Sequence, residues 1–165
     1  MGISKYCCGD EKVDRNIFFE NIQNNPDSFI TTWRTTTPNE QIQLPIGGDV
    51  DFYVLWGDGT FNKITSLANL THTYSFPGDY NVVILGSVEV WNNFLVLDVP
   101  LRTKLIDVVR FGRVGLTRLN FRDNDSITTF SALDTPQSTI EDMSFMFDNA
   151  TYANPETSLI GICQM

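Results

Sequence analysis

The chain carries one histidine, His72, and three cysteines, Cys7, Cys8 and Cys163. A catalytic histidine moves a proton between a nucleophile and a carboxylate arranged around it. No nucleophile-elbow pattern accompanies His72, so its expected use is structural, within a strand. Cys7 and Cys8 are adjacent and bridge each other only with strain. Without Cys-x-x-Cys or Cys/His spacing, no zinc site is expected and the thiols are expected to be free. Asp58, between Gly57 and Gly59, is of the type that ties the backbone N–H groups of a turn. Asp123-Asn124-Asp125 has the acid density of a calcium loop. It lacks glycine at the sixth position and has Asp134 where a bidentate glutamate belongs, so it is expected to be a solvated corner. Trp33, Trp56 and Trp91 raise the possibility of an aromatic sugar platform. Trp56 ends an apolar run and is expected in the core, whereas Trp91, beside Asn92-Asn93, is the candidate for exposure and for a glycan contact. The sequons at Asn69, Asn124 and Asn149 are expected to be coincidental, because no signal peptide precedes them. Gly47-Gly48 is expected to be a turn rather than part of a phosphate loop. No catalytic residue, cofactor or metal follows from these residues.

The bulk composition narrows the partners. A net charge of -9 and a pI near 4.4 argue against nucleic acid, whose phosphates require a basic surface. Hydrophobic content of 42% with 12% aromatics is enough for a packed core, and 165 residues suit one domain or two small ones. No stretch approaches the roughly 20 apolar residues of a membrane span. Met1-Gly2 ahead of Cys7-Cys8 hints at acylation, but Tyr6 stands where myristoylation wants Ser or Thr.

Residues that could act must be held by short strands. Phe29–Arg34, Gln41–Ile46, Phe52–Trp56, Phe61–Ile64, Leu70–Tyr74 and Asn81–Leu85 are rich in β-branched and aromatic residues. Thr37-Pro38-Asn39, Gly47-Gly48-Asp49, Gly57-Asp58-Gly59 and Pro77-Gly78-Asp79 punctuate them, a spacing that predicts an antiparallel sandwich. Val88–Val99 continues the β character with Asn92-Asn93 as a turn. Ahead of the strands, Ile17-Phe18-Phe19 is an apolar island in a polar lead-in. It is either a helix or arm that docks on a neighbour, or a strand-like cover for the chain's own sandwich. From Leu101 the texture changes. Leu105, Val108, Phe111, Leu116, Leu119, Phe121, Ile127 and Phe130 recur at short irregular intervals, as in a solenoid whose coils cannot bury their faces alone.

Two of these segments also resemble known families. Trp56-Gly57-Asp58-Gly59-Thr60, then His72-Thr73-Tyr74, then Pro77-Gly78-Asp79-Tyr80 resembles the PKD-like, immunoglobulin-type β-sandwich. The resemblance implies that Trp56, Gly57, Asp58, Gly59, His72, Tyr74, Gly78 and Tyr80 are a structural signature. It also implies spacing, display or adhesion rather than catalysis. Ser138–Ala150, with Asp142-Met143-Ser144-Phe145-Met146-Phe147 at its centre, resembles one unit of BspA-like leucine-rich surface proteins. Such proteins carry many repeats, and this chain stops within its first good one. Ile160-Gly161-Ile162-Cys163-Gln164-Met165 can be back-translated so that a one-base shift reads Asn-Trp-Asp-Met-Ser-Asn, the expected continuation. A frameshift within a longer array is therefore one expectation, to be checked on the nucleotide sequence.

The expected architecture is a mainly β chain. An N-terminal arm over 1–27 precedes a PKD-like sandwich over 28–100 and a truncated leucine-rich region over 101–165, packed without a flexible linker. The expected role is a non-enzymatic virion-surface decoration, cement or fibre module, with a bacterial cell-surface adhesin or its fragment as the alternative. The expected partners are capsid or surface-layer proteins or a second copy, with a glycan at Trp91 a further option. Contact is expected through Ile17, Phe18 and Phe19 and through Phe145, Met146 and Phe147, at a coil end lacking a polar cap. Tyr152 and Leu159-Ile160 folding back as an improvised cap is the alternative.

Overall fold

Trp56 ends the first long apolar run, and the next three residues reverse the chain as glycine and aspartate dictate. Gly57 and Gly59 adopt φ of +86° and +84°, the left-handed region that side chains resist. Strand β3 (Ile46–Leu55) is thereby returned as β4 (Phe61–Ile64) in an antiparallel hairpin pairing Leu55 with Phe61 and Phe52 with Ile64. The computed structural model describes residues 11–150, with side chains from residue 15 onward. Cys7, Cys8, Cys163, Tyr152 and the Leu159–Met165 tail lie outside the described residues, as do the readings made on them.

The described residues are mainly β, in sheets that are antiparallel apart from one short parallel pairing, with no closed barrel among them. The larger sheet runs β4-β3-β6-β1-β7, with β1 at Phe29–Thr35, β6 at Gly78–Asn92 and β7 at Leu105–Arg110. A smaller sheet pairs β2 (Glu40–Gln43) with β5 (Thr71–Tyr74). Ile42, Leu44, Leu70 and Tyr74 from its side share a core with Phe52, Val54, Trp56, Val82 and Ile84 of the larger sheet. The expected Gln41–Ile46 strand divides at Leu44-Pro45, where proline has no N–H to give a ladder, and β3 begins at Ile46. Two further differences come from glycine. Gly47-Gly48 is not a turn: β3 runs through it with a register shift between Gly47 and Val50, and Gly48 at φ +72° forms a bulge against Glu89. The Asn81–Leu85 strand and the β character from Val88 join in the single strand β6. Gly86 lets β6 pass so close to β3 that a Cβ there would lie 2.4 Å from the Asp51 carbonyl oxygen.

The far face of the larger sheet is covered by helix α1 (Glu11–Gln23). Its Ile22, with Phe18 and Phe19, packs on Ile30, Leu55, Val83, Tyr53 and Leu85. The apolar island is therefore helical rather than strand-like, and β1 is buried at its start on both faces. No helix among the described residues is long and apolar enough to cross a membrane.

Beyond β6 a single turn at Asn93–Leu95 and a short helix α2 (Val99–Arg102) lead into β7. The chain then lays itself down in parallel. Strand β8 (Arg118–Asn120) pairs with the far half of β6, Val90 opposite Arg118, and single parallel bridges join Asp107 to Thr129 and Arg118 to Asp142. The side-chain ties share the offset of the two single bridges rather than the 28 residues between Val90 and Arg118: Gly112 N–H donates to Asp134 across 22 residues and Asn120 Nδ2 to the Ser144 carbonyl across 24. One apolar cluster runs from Trp56 through Trp91, Leu105 and Leu119 to Met146, so the core does not divide at Pro100.

Candidate interaction face

The signature residues converge on one corner. Asp58 Oδ1 accepts from the Thr60 N–H at 3.0 Å and from its hydroxyl at 2.6 Å, and Oδ2 lies 2.7 Å from His72 Nε2. Desolvation works against the Asp58 charge, but Thr60 and His72 outweigh it and hold the carboxyl below its ordinary range. The His72 ring stacks on Trp56 at 4.6 Å and meets Tyr74 edge-on. Tyr74 donates its hydroxyl to the Trp56 carbonyl at 2.7 Å and stacks on Tyr80, whose own hydroxyl reaches the Phe76 carbonyl. Burial, then the Asp58 charge and Tyr80, push the Tyr74 hydroxyl far above its usual range. Gly78 N–H donates to Thr35 Oγ1 at the next turn. This chemistry ties a hairpin base together. Asp58 stands between the hydroxyl and the imidazole, whereas a proton relay needs the imidazole between hydroxyl and carboxylate.

Trp91 requires a correction. The expectation of an exposed platform fails, because Trp91 is 0% exposed, between Phe29 at 4.8 Å and Phe121 at 6.5 Å. Asn92-Asn93 suggested a surface turn, but β8 pairs alongside and Trp91 faces the core shared by β1, β6 and β8. It offers no sugar platform. The Asp123-Asn124-Asp125 corner is internally bonded: Asp123 accepts from Arg102 and Asn149, and Asn124 Oδ1 accepts from the Ser126 N–H. Asn124 is fully buried, so its sequon is inaccessible. Among the described residues no group of three His, Cys, Asp or Glu side chains is placed to hold a metal ion. A groove of about 790 Å³ is lined by Asp27, Arg113, Leu133, Asp134 and Gln137, with Asp134 already bonded to the Phe111 and Gly112 N–H groups.

The association residues separate. On α1, Ile17 is half exposed while Phe18 and Phe19 meet Tyr53 and Phe61 of the chain's own sheet. At the other end Met146 is buried, Phe147 packs edge-on against Phe130, and Phe145 is 63% exposed. Phe145 has φ +58° in a turn whose Asp148 N–H donates back to the Phe145 carbonyl.

Phe145 does not stand alone. The Arg122 guanidinium lies over both its ring and that of Phe94, 5.0 and 5.3 Å from the two centroids. Arg102 approaches the Phe94 ring at 5.3 Å. Asn92 Oδ1 accepts from the Phe94 N–H, and the turn that follows sends Asn93 and Val96 inward while Phe94, Leu95, Leu97 and Val99 face out. Leu97 is 85% exposed. Both guanidinium groups are neutralised locally: Arg102 bonds the Val96 carbonyl and Asp123, and Arg122 pairs with Asp148. The sequence reading missed Phe94–Val99 as a surface, since it took Val88–Val99 as continued β character and no strand alternation matches the exposure, in which only Asn93 and Val96 point inward. Across the chain as a whole, no family model matches, no curated protein matches and no solved structure matches.

Proposed function

We propose that this chain is a non-enzymatic structural and interaction module of an assembled surface, best read as a virion decoration, cement or fibre protein. In this reading residues 28–100 are a PKD-like sandwich and residues 101–165 the beginning of a BspA-like repeat region. The observation that carries the proposal is the set of exposed apolar side chains Phe94, Leu97, Val99 and Phe145, of which Phe94 and Phe145 share the Arg122 guanidinium. An exposed patch of this kind suits a protein contact. The parallel offset of 22 to 24 residues supports the repeat reading, and the tied corner around Asp58 and His72 supports a scaffold role for the signature residues.

Immunogold labelling of particles and cells from the source organism, with antibody against the purified chain, tests the proposal. Gold on virions is expected. Gold confined to the cell envelope favours the adhesin alternative, and gold found only in the cytosol refutes both.

A further inference from the structure

Resting on that reading, we propose that the face of Phe94, Leu95, Leu97, Val99 and Phe145 docks a segment of a different protein, one that brings apolar side chains together with a lysine or arginine for Asp98. These side chains are 52%, 45%, 85%, 55% and 63% exposed, together an apolar area on the order of 500 Å², the size of the largest and often functional patch on a typical monomer. The aromatic pair shares one cation, since the Arg122 guanidinium lies over both rings and is itself paired with Asp148. Rigid aromatic and arginine groups lose little freedom on binding and are enriched where interfaces are tightest.

Charge selects the occupant. Arg102 and Arg122 are paired in charge with Asp123 and Asp148, and Arg102 also donates to the Val96 carbonyl, so neither guanidinium is a free cation for an acidic ligand. Asp98 is exposed between Leu97 and Val99. It heads α2 without a side-chain capping bond, and among the described residues its carboxylate has no hydrogen-bond or ion-pair partner. A cation from the partner would complete it. A second copy of this chain suits the face poorly, because each copy brings a net charge of -9 and another Asp98. The area is below the roughly 800 Å² per partner of a standard interface, so a single contact is weak and gains strength from repetition across an assembled surface.

The test uses the full chain and a short amphipathic peptide of leucine and lysine as the probe, with its leucine–glutamate counterpart as control, followed by fluorescence anisotropy. Saturable binding of the lysine peptide alone is expected. Leu97→Glu and Phe145→Glu should each weaken it on the order of tenfold, and Asp98→Asn should reduce its salt dependence. Phe76→Glu, at an exposed turn elsewhere, should leave it unchanged. The proposal is overturned if Phe145→Glu and Leu97→Glu bind like the wild type, or if Phe76→Glu weakens binding equally. It is also overturned if both peptides bind alike, or if the free chain dimerises and Phe145→Glu abolishes the dimer. Peptide binding that survives alongside purely cytosolic gold would keep this docking face and discard the surface-assembly role. Virion labelling without peptide binding would do the reverse.

Discussion

Two glycine-to-alanine substitutions separate backbone conformation from backbone contact. Gly59 has φ +84° and nothing within 4 Å of where a Cβ would stand, so Gly59→Ala carries only the left-handed conformational cost, about 1–2 kcal/mol. Gly86 has φ +136°, and its Cβ would lie 2.4 Å from the Asp51 carbonyl oxygen and 2.7 Å from the Phe52 Cα. Those are backbone atoms, so no rotamer change relieves the clash and β3 must move away from β6. The movement disturbs the ladder at Phe52↔Gly86 and the burial of Phe52, which is 0% exposed. Strain and lost packing together amount to about 3–5 kcal/mol. For a chain of this size the expected drops in Tm are on the order of 10 °C for Gly86→Ala and about 4 °C for Gly59→Ala. Urea titration followed by tryptophan fluorescence gives the same comparison at fixed temperature. Equal destabilisation by the two variants would refute the close approach of β6 to β3.

Trp91→Ala should destabilise by about 3–5 kcal/mol in urea melts, as a buried tryptophan does, whereas a surface residue would shift stability by under about 0.5 kcal/mol. Phe145→Glu should change stability by no more than about 1 kcal/mol, the worth of its contact with Arg122, and a collapse of the Tm would mean that Phe145 is core. Glu40 is paired with Lys104 and also accepts from the Thr36 and Thr37 N–H groups, and its carboxyl is lowered from 4.5 to about 2. A lowered carboxyl stabilises the fold above its ordinary pKa and loses that contribution as pH falls from about 4.5 towards 2. At a partly exposed site the loss should be about 1–2 kcal/mol, and Glu40→Gln should flatten this part of the acid-unfolding curve.

The sequence by itself determined what acts over a few residues. Gly57-Asp58-Gly59 dictates a reversal because glycine tolerates φ > 0 and aspartate bonds the N–H two residues on, and β4 spans Phe61–Ile64 as expected. Asp58 as a turn residue and Trp56 as core were legible for the same reason. Tertiary structure decided whatever depends on a partner far along the chain. Trp91 is buried because Leu119 of β8, 28 residues later, pairs beside it, and no local signal near Asn92-Asn93 carries that fact. Gly47-Gly48 reads locally as a turn, yet it serves a bulge, and Gly86 serves a close approach, because their neighbours are Glu89 and Asp51 on the opposing strands. The Ile17-Phe18-Phe19 island left a docking arm and a self-cover both open. Phe18 and Phe19 pack where they do because both faces of the larger sheet are apolar and the smaller sheet covers only one. Phe145 and Met146 are neighbours of similar apolarity, yet one faces solvent and the other the core, since a turn at φ +58° reverses direction between them. Composition fixes how much apolar surface the chain must hide, whereas which side chains remain outside depends on long-range pairings that no window of a few residues contains.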